Sequence, residues 1–244
     1  MTPMWKRYVR AFKRDLDAWA VWEPGTQVEL CDFGVVEGGR WSKLGSLWEL
    51  VPKTEKDTVE ESKPAELIFG SATISELDTQ LSAPSDLASV TVRFGSTDSL
   101  FVRASKSIQS RVANLQDLSE RLLKAKDKWK REWYLVTGVR RAAKFTVLSA
   151  GESNAEVKVS ASVANLHSFL AGNIAADAGL RFAGNVAFSF VGRSGPIHLD
   201  LARIRIRWWS GEEALRRFGQ ETRVDEVIYD EVRPTEVPDD GDAT

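Results

Sequence analysis

The chain has 244 residues, 43% of them hydrophobic, enough for one large domain or two small ones with a proper core. A formal net charge of −2 argues against nucleic-acid binding by bulk charge, and a single cysteine, Cys31, excludes an internal disulfide and fits a reducing compartment. The charge is uneven: Glu221–Thr244 holds nine acids and two arginines, net −7, which leaves +5 on the first 220 residues.

In chain order, Trp5, Tyr8, Val9, Phe12, Leu16 and Trp19 recur at helical spacing, with Lys6, Arg7, Arg10, Lys13 and Arg14 around the rest of the cylinder. Such a helix suits either a docked surface position or the headgroup layer of an anionic membrane. The N-terminus lacks an apolar h-region and a small-residue cleavage site, and no apolar run reaches the length of a membrane helix, so a soluble product without a secretory signal is expected. Pro24-Gly25 marks a turn, and a strand is expected at Gln27–Leu30. Phe33–Val36 and Trp41–Leu44 flank Glu37-Gly38-Gly39-Arg40, a hairpin signal, and Leu47–Leu50 ends this unit. Pro52–Lys63 is charged and aperiodic and reads as an exposed loop.

Ala88, Val90, Val92 and Phe94 alternate with Ser89, Thr91 and Arg93, and Leu100 and Val102 begin a shorter strand. Val112–Asp127 repeats leucines at three and four and reads as a helix with lysines at its C-terminal end. Trp133–Val139 is an apolar, central strand, and Lys144–Ser149 alternates. Ala155–Val163 and Leu180–Phe190 alternate strictly, separated by the small, mixed Ala164–Gly179. Arg193-Ser194-Gly195-Pro196 reads as a turn, and Ile197–Trp209 as a final strand carrying Arg203, Arg205 and Arg207 next to Trp208 and Trp209. The fold class expected is α+β, a twisted antiparallel sheet with flanking helices.

Catalytic signals are sparse. His167 and His198 have no spaced partners for a metal site, Cys31 has no visible activator, and Cys31-Asp32-Phe33-Gly34 holds the letters of a kinase motif without the rest of its set. No enzyme activity, cofactor or metal is expected. The alternating stretches at 155–163 and 180–190 have the length that a tilted strand needs to cross a bilayer, and that crossing requires many copies closing a barrel edge to edge. A half-buried sheet in a soluble protein has the same period, so both readings stand at this point.

The order of parts from Met4 to Trp209 resembles the pore-forming domain of the gasdermins, most of all the short bacterial ones. FKRDLDAW resembles the end of that domain's basic first helix, RWSKLGSLWEL its small strand and short helix, and WKREWYLVTGV the strand after its Leu-rich helix, with Gly138 where the family often has Glu. The resemblance implies a gasdermin-like domain over residues 1–209, an exposed link at 210–223 with cleavage candidates Arg216, Arg217 and Arg223, and an acidic tail at 224–244. It implies that the tail holds the domain inactive, and Val224, Val227, Ile228 and Val232, near helical spacing, are the residues that would cover an apolar patch. It also implies an activating protease as partner and a latent cytoplasmic monomer. On activation an oligomeric β-pore would form at the inner face of the membrane, with cell death in antiviral defence as the outcome. Bacterial members resemble one another in an acylated cysteine near the N-terminus; none precedes Cys31 here, which leaves lipidation at Cys31 open.

Three functions follow. A latent pore-former would engage anionic phospholipid through Trp5, Lys6, Arg7, Arg10, Lys13, Arg14, Arg203, Arg205, Arg207, Trp208 and Trp209. A lipid- or protein-binding module would use the same face without inserting. An enzyme would assemble its site from scattered residues in a deep pocket.

Overall fold

The structure is a computed structural model, and it describes residues 3–54, 57–70, 72–75, 87–95, 99–150, 152–170, 180–184, 186–209 and 224–234. Helix α1 spans Met4–Leu16 and ends at Asp17, whose φ of 47° is left-handed and whose N–H donates to the Phe12 carbonyl. Lys13 and Arg14 in its last turn suit the negative end of the helix dipole. Its apolar face, Tyr8, Val9, Ala11 and Phe12, is buried on Leu100, Val102, Phe145, Val147 and Ile197. Trp19 does not continue this helix as its spacing suggests. It lies in β1 (Trp19–Ala20), because the left-handed residue has already turned the chain.

No strand forms at Gln27–Leu30. The backbone there bonds elsewhere: Glu29 N–H donates to Asp32 Oδ2 at 2.8 Å, the Glu29 carbonyl accepts from Asp32 N–H at 3.2 Å, and the Val28 carbonyl accepts from the Arg141 guanidinium at 2.7 Å. The hairpin forms as expected, with β2 (Asp32–Glu37) and β3 (Arg40–Ser46) joined through Gly38 and Gly39 at φ 56° and 80°. Two positive φ values in a two-residue connection match the twist of the flanking strands, which is why Gly-Gly sits there. One 3-10 turn, Leu47–Glu49, closes the unit.

The segment read as an exposed loop at Pro52–Lys63 contains a strand, β4 (Val59–Glu61), with all three residues exposed. It is followed by β5 (Ala65–Gly70), β6 (Ala72–Ser75), β7 (Leu87–Phe94) and β8 (Leu100–Val112). The short strand expected from Leu100 therefore runs thirteen residues. Helix α2 spans Leu115–Lys124, shorter than the sequence pattern suggests, and the Asn114 side chain caps it by accepting from Asp117 N–H at 3.1 Å. The stretches at 133–139 and 144–149 fuse into one strand, β9 (Tyr134–Ala150). Then come β10 (Glu156–Ser162), α3 (Val163–Leu170), β11 (Arg181–Gly184), β12 (Val186–Trp209) and β13 (Val224–Val232).

Every described strand pair is antiparallel. A nine-stranded sheet runs β1-β12-β9-β2-β3; β8 pairs β9 and carries β4 and β5 on its other edge, and β13 pairs β12. A four-stranded sheet runs β11-β10-β7-β6. The chain is thus sheet-rich, with three α-helices among the described residues.

The alternating stretch at 180–190 is split between the two sheets. Gly184, at φ 115°, has no room for a side chain, because an added Cβ would strike the Glu156 backbone; beyond it β12 leaves β10 for β9. The turn expected at Arg193–Pro196 is instead a bulged stretch of β12, with register shifts between Phe190, Arg193, Gly195 and His198. Bulges take up the extra residues and the positive φ of Gly195, 122°, without ending the strand.

The alternation of β7 and β10 buries Val90, Val92, Phe94, Val157, Val159 and Ala161 with Phe169 of α3, and leaves Arg93, Glu156 and Lys158 outside. An Arg93–Glu156 ion pair at 2.6 Å ties the two strands across that outer face. These ribbons have one face in a core and one in water.

Candidate functional site

The largest departure from the sequence pattern lies at the tail. The Val224, Val227, Ile228 and Val232 spacing suits a helix, yet Val224–Val232 is a strand paired along its whole length to β12. Nine register positions join Leu201–Trp209 to Val232–Val224. Asp230 stands opposite Arg203, Glu226 opposite Arg207, Asp225 opposite Trp208 and Val224 opposite Trp209. In register, acidic positions thus stand opposite two of the three arginine positions of this seam, and Ile228 stands opposite Arg205. The ladder of β12 with β9 ends at Arg203, and from Ile204 to Trp209 β13 is the only described partner of β12.

Two further contacts hold the end of the tail. The buried Trp19 indole N–H donates to the Val232 carbonyl at 2.8 Å, and Val232 packs half-buried on the cluster of Trp19, Val136, Leu199 and Leu201. Arg203 is half-buried, and its Nε donates to the Arg131 carbonyl at 3.3 Å. Arg205, Arg207, Trp208 and Trp209 share β12 with it. Arg216, Arg217 and Arg223 lie outside the described residues, as do 235–244.

The cations of α1 form a separate group. Arg14 is exposed, whereas Lys6, Arg7, Arg10 and Lys13 are half-buried. Trp5 sits against Gly38 of the hairpin turn, where a Cβ would lie 3.2 Å from its ring. The Lys6 ammonium and Arg40 guanidinium flank that ring at 5.8 and 5.5 Å from its centroid. Arg40 escaped sequence reasoning because its hairpin, not its neighbours in the chain, brings it to Trp5. The helix rests over β8 and β9, while Arg203–Trp209 occupy the far end of β12, so the basic residues fall into two patches rather than one.

A polar set of residues on β8, β9 and β12 was also missed. Gln109 Nε2 and Arg111 Nε both donate to Asp200 Oδ2, at 2.9 and 3.0 Å, and Arg140 Nε donates to Gln109 Oε1 at 3.0 Å. Gly138 makes room for this set: an added Cβ would lie 2.8 Å from Asp200 Cγ. His198 lies beside these groups. Burial, with the positive Arg140 adding to it, lowers its pKa to about 4 against the pull of Asp200. His167 is exposed on α3. No group of three metal-ligating side chains occurs among the described residues.

Cys31 is buried and lines a cavity of about 540 Å³ together with Asp32, Lys43, Trp48, Asp57 and Arg141. Burial, then the charges of Asp57 and Asp32, pushes its thiol up to about 12, so it stays protonated and is a poor nucleophile. Arg121 of α2 binds Asp57 and, at 2.6 Å, the Pro52 carbonyl, which pins the loop before β4 over this cavity.

No protein-family model matches the chain, and no curated protein matches it. Among solved structures the chain is similar to a bacterial gasdermin from Bradyrhizobium tropiciagri, at 13% identity and a TM-score of 0.34, with 91% of each chain covered. It is also similar to the Gasdermin A3 membrane pore seen by cryo-EM, at 11% identity and a TM-score of 0.29, with 84% of this chain and 92% of that chain covered. Identities and scores this low assign the chain neither a family nor an activity.

Proposed function

We propose that this chain is a latent membrane pore-former whose C-terminal strand keeps it inactive until proteolysis in the link at 210–223 releases that strand. The observation that carries this reading is the seam of β12 and β13, where an acidic strand occupies the free edge of a strand bearing three arginines and two tryptophans. Loss of β13 leaves the ladder groups of Ile204–Trp209 without their described partner, and the Arg203 and Arg207 positions without the acids opposite them. An unpaired edge of this kind seeks another strand, and its cations seek anionic headgroups at about 1 kcal/mol each near a charged surface.

The ribbons built from β6–β7 and β10–β11 supply the wall. In β7 and β10 one face is apolar and the other polar, so extension into lipid exchanges a protein core for acyl chains while the polar face turns to water. Only a closed ring of copies satisfies every backbone group in hydrocarbon. Cleavage at Arg216, Arg217 or Arg223 would start the sequence, and the cluster of Trp5 and Lys6 on α1 with Arg40 of β3 would share the approach to phospholipid. The latent form would be a cytoplasmic monomer, and the active form an oligomer at the inner face of the membrane that costs the cell its membrane integrity.

The test is dye release from phosphatidylglycerol- or cardiolipin-rich vesicles, using the full chain with a specific protease site placed in the link. Cutting should start leakage that the uncut chain does not cause. Vesicle binding that salt reverses, with no leakage after cutting, would favour a lipid-binding module instead and defeat this reading.

A further inference from the structure

We propose that strand β4 of a second copy takes the place of β13 once the tail is released, so that copies join through the edge of β12 and the acidic edge of β4. This rests on the reading above, and it names the partner that the freed edge accepts.

Three observations carry it. The first is composition: Val59-Glu60-Glu61 of β4 repeats the pattern of Val224-Asp225-Glu226 in β13, a valine followed by two acids. In β13 these three residues stand opposite Trp209, Trp208 and Arg207. The second is direction. β4, β8, β9 and β12 run in one sheet with each neighbour antiparallel, so β4 points the same way as β13. A second copy turned about an axis along the strands therefore offers β4 antiparallel to β12, as β13 does. The third is access. Among the described residues β4 pairs β8 alone, Glu60 and Glu61 are exposed, and Val59, 50% exposed, is one of the two large hydrophobic side chains described as left in water.

The acids on β4 discourage two β4 edges from pairing with each other, as charged edge strands commonly do. They suit an edge carrying Arg203, Arg205 and Arg207. The contact is heterologous, one patch on one copy and a different patch on the next, the class of contact that builds rings when the rotation from copy to copy closes. While the tail is attached, its high local concentration keeps β13 in place against a second copy. Tail release is then an exchange of one acidic strand for another, and the sheet continues from copy to copy.

The test uses the full chain with a cleavable link and cysteines at Val59→Cys and Trp209→Cys, positions that leave the acids and arginines in place. Cys31, buried and protonated, stays out of the reaction. After cutting in the presence of vesicles, oxidation should give a ladder of disulfide-linked oligomers, and the uncut chain should give none. Separately, Glu60→Lys with Glu61→Lys should slow dye release about tenfold, and adding Arg207→Glu to the same chain should restore much of the rate. Because β4 is exposed, the lysine variant should melt with the parent, and it is read only if it does; the disulfide result stands without it. Leakage without the disulfide ladder overturns the exchange and leaves the pore reading intact. A ladder in the cysteine chain, with no leakage from the cut chain that keeps Val59 and Trp209, supports the exchange and overturns the pore. Equal crosslinking before and after cutting overturns the exchange, and neither ladder nor leakage overturns both.

Discussion

Replacing Trp19 with Phe isolates one bond of the tail latch. The substitution keeps an aromatic ring in the cluster of Val28, Trp41, Val136 and Leu201 but removes the indole N–H that reaches the Val232 carbonyl at 2.8 Å. A neutral hydrogen bond of this kind contributes about 1 kcal/mol net, which is a factor of about 5 in the equilibrium between seated and lifted tail. Loss of the larger ring also costs packing, but that loss falls on the whole cluster and weakens the entire fold. Native-state hydrogen exchange separates the two effects. Amides of Val224–Val232 should exchange about 5 times faster relative to those of β9 than they do in the parent. With a protease site in the link, the cut variant should also shed its tail sooner. If the tail amides accelerate only as much as the β9 amides, the indole bond is not part of a latch, and the argument for a locally held tail fails with it.

Other outcomes follow from the central polar set. Gly138→Ala should cost about 2–4 kcal/mol in denaturant unfolding, because the new methyl displaces Asp200 from Gln109 and Arg111; Asp200→Ala in the same chain should recover part of that loss. The lowered pKa of His198 makes stability pH-dependent in a stated direction. Between pH 6.5 and about 4 the unfolded chain carries the proton and the folded chain does not, so stability falls as pH drops through that window, by about 3 kcal/mol in all, and no further below it. His198→Leu should flatten that part of the profile in urea titrations at pH 7 and pH 4.5, and an unchanged slope would remove His198 as its source.

What the sequence determined by itself is local. Helix α1 is legible from Trp5 to Leu16 because its spacing and its partners lie within one segment, and the β2–β3 hairpin is legible because two glycines set the turn. The alternation of β7 and β10 marked one apolar face each, and that face is buried. Tertiary structure decided whatever depends on a distant partner. β4 has no buried face and so no period; it is a strand because β8 lies beside it. β12 continues through Arg193–Pro196 because β9 supplies a ladder on which bulges are tolerated. The valines of the tail fit a helix as well as a strand, and the open edge of β12 chooses between them. Periodicity reports which face a segment buries, whereas an edge strand is held by backbone hydrogen bonds that every sequence can make, so the seam on which the proposed function turns came into view only when the chain was folded.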